Sequence, residues 1–295
     1  MARPGAPARP GEMLYMAPLT CFGIHLRAGA PLPAWHRRAA LWHSEPTDPT
    51  DPPEELPPLL RKLAVATVAC GWTHSLAMTV GGLVFAWGSG ANGQLGLGGG
   101  VSARGTPSRV PVCPPARALA AGSFHSLAVA GDGRVFSWGW GARGRLGRGA
   151  AHLESWTPQH VRLSARRHVR ASAVAAGAAR SFALTEGGAL LWWGWRRGKQ
   201  GRTAWVPKPV PQLAAVPVHR VCADSTGDCV AAVSRAGGAF AWGDARTPAA
   251  TRGALPDIAL ACAADECGVS VTTGGGAVFA WRGGAAWVAI KPRRV

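Results

Sequence analysis

Residues 68–98 read VACGWTHSLAMTVGGLVFAWGSGANGQLGLG, and residues 119–149 read LAAGSFHSLAVAGDGRVFSWGWGARGRLGRG. The two stretches keep one frame, with Gly71-x-x-His74 matched by Gly122-x-x-His125 and Trp87 by Trp138, 51 positions later. A third copy at 174–201, VAAGAARSFALTEGGALLWWGWRRGKQG, begins at the same frame with Gly177 and places Trp193 a further 55 residues on. Two weaker copies at 221–243 and 261–284 continue the series with Trp242 and Trp281, at intervals of 49 and 39. Self-similarity near 50 residues means stacked supersecondary units, none of which can bury its apolar surface alone.

Each copy has the same local grammar. A short apolar run such as HSLAM or HSLAV is strand material, and Gly81-Gly82, Asp132-Gly133 and Gly187-Gly188 supply tight turns that need positive φ. A returning strand follows, as LVFAWG, RVFSWG or LLWWG, with a glycine after the Trp where the chain bends or another backbone comes close. Hairpins repeated radially make a β-propeller. The expected fold is therefore all-β: a propeller of four to five recognisable blades, incomplete as a ring or shortened as a chain. Residues 62–295 form it, behind an irregular, Pro-rich segment at 1–61 that ends in an acidic linker, EPTDPTDPPEELPP at 45–58. The uncharged window 63–80 is long enough to raise a membrane span, but its repeat counterparts carry His125 or Arg180, so it is assigned to the hairpin.

Composition narrows the function. Among 295 residues, 40 Gly and 24 Pro exclude coiled coils and long helices. Seven Cys without a C-x-x-C pair do not form a disulfide framework, which points to packed thiols and a reducing, intracellular compartment. The compartment itself stays open between mitochondrion, cytoplasm and nucleus, since the Arg-bearing first 44 residues match a mitochondrial leader only in part: no Ser precedes Ser44, and several Pro interrupt any helix. The net charge of +17 resides wholly in residues 56–223, and 13 basic residues fall between Arg134 and Arg202 against Glu154 and Glu186. Arg143, Arg145 and Arg148 occupy one post-strand loop, and Arg196, Arg197, Lys199 and Arg202 the equivalent loop of the next blade. Equivalent loops share a rim, so these seven cations, reinforced by Arg166, Arg167 and Arg170, make a candidate patch for RNA, DNA or an acidic protein face, with Trp140 and Trp195 placed to stack on bases. The competing readings are that the excess of 28 Arg over 4 Lys is codon usage on a solvated surface, and that the two Trp pack between blades.

The apparent chemical motifs reduce to structure. Gly88-x-Gly90-x-x-Gly93 and Gly139-x-Gly141-x-x-Gly144 fit a dinucleotide fingerprint, but no helical pattern follows to hold a pyrophosphate. Gly194–Gln200 lacks the spacing and the Ser or Thr of a P-loop. His74 and His125 recur at one repeat position and are read as hydrogen-bonding groups between strands; Arg180 and Cys229 stand there in later copies, so no metal array forms. Gly71, Gly122 and Gly177 with Trp87, Trp138, Trp193, Trp242 and Trp281 are assigned to the structural repeat. No metal, cofactor or catalytic residue is expected.

The succession G-x-x-H-S-L-A, a turn, V-F-x-W-G and G-x-L-G resembles the repeats of the regulator of chromosome condensation family over about residues 65–285, closely in the first two copies and loosely in the last two. Copies four and five resemble most a mitochondrial branch of exchange-factor-like members, through Gly227-Asp228-Cys229 and the apolar strand after it. The resemblance implies a closed ring of seven blades, more than this chain supplies. It also implies a protein partner, a small GTPase whose nucleotide exchange the propeller promotes without acid–base chemistry, or a pure scaffold. Light-sensing members use stacked Trp, but Trp72 is answered here by Phe124 and Ala179, so that array is not assembled.

Overall fold

The computed structural model describes residues 64–290, apart from 112, 166–167, 197–201, 225–228, 243–248, 251–257, 265–267, 274–277 and 283–287. Side chains are described as far as Trp242, except those of Arg196 and Arg202. The expected segment at 1–61 therefore lies outside the described residues, as do the side chains of the fifth copy.

Five four-stranded antiparallel sheets follow one another along the chain, each paired in simple sequential order. Blade one is β1 (Val65–Cys70), β2 (His74–Thr79), β3 (Val84–Ser89) and β4 (Ala103–Arg109). Blade two is β5 (Ala116–Ala121), β6 (His125–Ala130), β7 (Val135–Trp140) and β8 (Glu154–Val161). Blade three is β9 (Ala171–Ala176), β10 (Arg180–Thr185), β11 (Leu190–Arg196) and β12 (Arg202–Pro209). Blade four is β13 (Val218–Ala223), β14 (Val230–Ser234), β15 (Ala239–Trp242) and β16 (Ala249–Ala250); blade five is β17 (Ile258–Ala264), β18 (Gly268–Thr273), β19 (Val278–Arg282) and β20 (Val288–Ile290). The first strands β1, β5, β9, β13 and β17 pack on one another in succession and so line the axis. This is the propeller expected, with five blades among the described residues. The uncharged window 63–80 is the β1–β2 hairpin, and no helix among the described residues is long and apolar enough to cross a membrane.

Burial explains why the repeat's strands do not alternate. In β2, β6 and β10 all six residues are buried, and β6 and β10 lie in sheets packed against a blade on either face. The core accordingly divides into layers between blades. Leu76, Val84, Leu95, Phe136 and Trp138 fill the layer between blades one and two, and Leu127, Val135, Val161, Val174 and Trp193 that between two and three. Phe182, Leu184, Leu213, Val230 and Trp242 fill the next. The hairpin glycines 82, 133 and 188 have φ of +79°, +86° and +87°, as their turns require. Near the axis the strands leave no room: a Cβ on Gly71 would strike the Gly122 carbonyl, and one on Gly122 the Gly177 carbonyl and the His125 ring.

One sequence expectation is corrected. Cys113 is free, as a packed thiol should be, but Cys70 at the end of β1 is disulfide-bonded. Single bonds leave no spacing signature, which is why a count that argues against a framework missed it.

Candidate functional site

The recurring frame of the repeat builds a clasp between blades. After β3 and after β7 the chain makes a glycine-rich loop, residues 90–98 and 141–149, whose one inward carbonyl receives the next blade. Gln94 O accepts hydrogen bonds from Ser126 Oγ (2.8 Å) and Trp138 Nε1 (2.9 Å). One blade on, Arg145 O accepts from Ser181 Oγ (2.7 Å) and Trp193 Nε1 (2.8 Å). Both lone pairs of each carbonyl are thus used. Gly96 and Gly147 make the socket possible, since their φ is +70° and +71° and a Cβ at either would lie 2.7 Å from the indole nitrogen it faces.

The same geometry decides what the His–Ser pairs can do. His74 Nε2 lies 2.8 Å from Ser126 Oγ, and His125 Nε2 2.8 Å from Ser181 Oγ. Each hydroxyl has one proton, already donated to a carbonyl, so the imidazole must donate from Nε2. The serine proton is not available to a base, and the pair is a tie rather than a nucleophile. His125 is fully enclosed; burial, with the charge of Arg145 and then of His74, holds its pKa well below the ordinary value and keeps it neutral. The burial that makes Cys113 a packed thiol also raises its pKa to about 12, which excludes a ready thiolate there. Among the described residues no group of three metal-ligating side chains occurs.

The clasp also accounts for the weaker copies. Ser75, Ser126 and Ser181 stand across from Trp87, Trp138 and Trp193, but Val230 stands across from Trp242 and offers no hydroxyl. In blade one Ser75 Oγ is buried without a hydrogen-bond partner among the described residues.

The rim cations divide. Loop 141–149 follows Trp140, so Arg143, Arg145 and Arg148 lie at the His125 end of the blade. Arg196 and Arg202 are backbone partners at the same end of blade three, next to Trp195 and Thr203. Arg166, Arg167, Arg197 and Lys199 lie outside the described residues. Arg170 packs against Gly133 at the hairpin end, one strand length or about 20 Å away, so it does not reinforce this rim.

Within the loop the three arginines do not simply point to water. Arg143 is exposed, with its guanidinium 4.6 Å from the centre of the Trp195 ring. Arg145 is 2% exposed and lies 4.4 Å from the Trp140 ring, while its Nε donates to Ala142 O. Arg148 is half-buried, with Nε and Nη2 lacking partners. Trp140, 37% exposed, also meets Phe124 edge-on at 5.6 Å. Trp140 and Trp195 therefore carry guanidiniums on their faces rather than filling a blade core. Trp72, 58% exposed at the start of the β1–β2 turn, lies on the same side.

With this geometry in place, the comparisons are specific. Models of the regulator of chromosome condensation (RCC1) repeat match residues 81–129 and 132–184, and in a second form 65–94 and 116–145. Residues 65–184 are RCC1 repeats. The human probable E3 ubiquitin-protein ligase HERC6 is 37% identical over 64% of this chain and 19% of its own length. The mitochondrial RCC1 domain-containing protein RUG3 of Arabidopsis thaliana is 32% identical over 66% of this chain and 45% of its own. Among solved structures, human WBSCR16 superposes with a TM-score of 0.68 at 25% identity, covering 81% of this chain and 70% of that one. Yeast RCC1 (Prp20), solved bound to Kap60, shares the fold with a TM-score of 0.53 at 23% identity over 65% of this chain and 46% of that one. The chain spans less than half the length of these curated relatives.

The sequence located the His, Ser and Trp of the RCC1 repeat, yet missed the acceptors that join them. A backbone carbonyl has no residue signature; only the glycine spacing of 93 to 96 and 144 to 147 marks the turn that presents it.

Proposed function

We propose that this RCC1-repeat chain is a non-hydrolytic protein-interaction propeller that regulates a small GTPase by promoting nucleotide exchange. The observation that carries the reading is the state of the two His–Ser pairs among the described residues: both have their hydroxyl protons committed to interblade carbonyls. What remains for function is a surface, the blade end carrying Trp72, Trp140, Arg143 and Arg145. Exchange needs no more than that, because a partner that binds the empty GTPase more tightly than the loaded one accelerates release. The test is capture from extract with nucleotide chelated or with GTP in excess, followed by reconstitution from purified components. A stoichiometric complex that GTP dissociates supports exchange. Equal affinity for both forms leaves a scaffold. Resemblance to a mitochondrial relative favours mitochondrial residence, to be checked by fractionation.

A second reading has its own support in the Arg143–Trp195 and Arg145–Trp140 stacks, which resemble the pairing of cation and ring used on single-stranded nucleic acid. It predicts RNA binding that weakens steeply with salt and is lost when Arg196, Arg197, Lys199 and Arg202 are all changed to Ala. Salt-insensitive binding excludes it.

A further inference from the structure

Loops 90–98 and 141–149 share left-handed glycines at 93 and 144, 96 and 147, and 98 and 149, but differ in the residues between them, and the difference marks a binding site. In blade one the positions are Asn92 and Gln94. They satisfy each other and their surroundings: Gln94 Oε1 accepts from Asn92 N at 2.9 Å, and Gln94 Nε2 reaches Thr73 Oγ1 at 3.4 Å. In blade two the same positions are Arg143 and Arg145, neutral groups replaced by two cations.

Those cations are held without a counter-charge. Arg145 is buried, and its Nη1 has no hydrogen-bond partner. Arg143 is the only described residue other than glycine with positive φ, at +62°, a conformation that strains an arginine backbone. The two repel, since the charge of Arg143 adds to burial in lowering the Arg145 pKa to about 10. No carboxylate among the described residues is paired with either one: Glu186 and Asp132 are taken by Arg117 and Arg134 at the hairpin end. Beyond the one bond from Arg145 Nε to Ala142 O, the faces of Trp195 and Trp140 receive the guanidiniums, and a ring face is a weaker partner than a carboxylate.

We propose that Arg143 and Arg145, between Trp140 and Trp195, form a receptor for one carboxylate on an acidic segment of a partner protein. The ring faces keep the site's place until the carboxylate arrives. Trp140, over the buried guanidinium and partly exposed, is the side chain that shifts to admit it. The surroundings favour a single carboxylate flanked by apolar residues over a run of phosphates. Phe124, Trp140 and exposed Leu153 supply apolar flanks, while exposed Glu154, across from Trp140 on β8, repels a continuous polyanion. This site rests on the protein-interaction reading above, but its test needs no GTPase, so either can fail alone.

The experiment titrates the full chain with the peptide N-acetyl-Leu-Glu-Leu-amide and follows arginine Nε–Hε signals by NMR, alongside the Gln counterpart, inorganic phosphate and a twelve-nucleotide oligouridine. The expected result is a saturable shift of the Arg143 and Arg145 signals with the Glu peptide and none with the Gln peptide. The variant Arg143→Asn with Arg145→Gln puts the blade-one residues at these two loop positions, and Asn adopts the left-handed conformation of residue 143 more readily than Arg, so it should keep the fold, checked by near-ultraviolet circular dichroism. It should weaken the peptide about tenfold or more. Arg145→Lys, which keeps charge but not the fork, should fall between. The proposal is overturned if neither signal shifts up to tens of millimolar peptide, if the Gln peptide binds equally, or if phosphate or oligouridine binds these two residues more tightly than the Glu peptide.

Discussion

Changing Ser181 to Ala tests the interblade clasp at its centre. The hydroxyl accepts from His125 Nε2 at 2.8 Å and donates to Arg145 O at 2.7 Å, both buried. Arg145 O keeps its bond from Trp193 Nε1, so the acceptor is not orphaned. His125 is orphaned, with Nδ1 already lacking a partner and Nε2–H now enclosed without an acceptor. Losing the two bonds costs about 1 kcal/mol net each, and the stranded donor costs a further 1–3 kcal/mol, of which part overlaps, so about 2–4 kcal/mol is expected. For an ordered region of this size, 3 kcal/mol lowers Tm by about 6–12 °C. Ser75 is the internal control: it holds the same register position, yet its Oγ is buried without a hydrogen-bond partner among the described residues, so Ser75→Ala removes an unsatisfied group and should be neutral or slightly stabilising. Urea unfolding, followed by tryptophan fluorescence and far-ultraviolet circular dichroism together, measures both. Equal losses at 75 and 181, or a loss below about 0.5 kcal/mol at 181, would refute the clasp as the source of stability.

Three further outcomes follow from the same geometry. His125 is held neutral with its pKa depressed in the folded state, so as pH falls below about 6.5 the unfolded chain binds a proton that the folded one refuses; stability should drop by up to about 1.4 kcal/mol per pH unit from this residue, and His125→Gln should flatten that slope in a pH series of urea melts. Gly147→Ala forces a left-handed residue against the Trp193 indole and should cost about 2–4 kcal/mol, whereas Gly98→Ala, with open space around it, should cost only the backbone strain of about 1–2 kcal/mol, as thermal melts of the two will show. Arg148→Leu installs the residue blade one carries at Leu97, removes two unpartnered buried N–H groups and should raise stability by about 1 kcal/mol; a loss of similar size in the same melts would mean that Arg148 has a partner within the fold.

Much of the fold was legible because the repeat displays it. Trp87, Trp138 and Trp193 recur with Gly-Gly or Asp-Gly turns before them, and periodicity plus turn chemistry is sufficient to specify hairpins stacked in one direction. The rim was legible only as a charge density. Arg170 lies near Arg148 in sequence order, but a strand length separates the two ends of a blade, and no local pattern says which end a connecting segment visits. Cys70 gave no signal at all, since a lone cross-link depends on distance and not on spacing.

Residue types by themselves determined the all-β repeat architecture and the concentration of positive charge in blades two and three. Tertiary packing alone decided which carbonyl each Ser and Trp would find, that the His–Ser pairs are ties rather than nucleophiles, and that Arg145 would be buried on Trp140 with a free donor. The physical reason is that hydrogen-bond partners and desolvation are properties of neighbours, and in a propeller the decisive neighbours belong to the next blade, some 50 residues away along the chain.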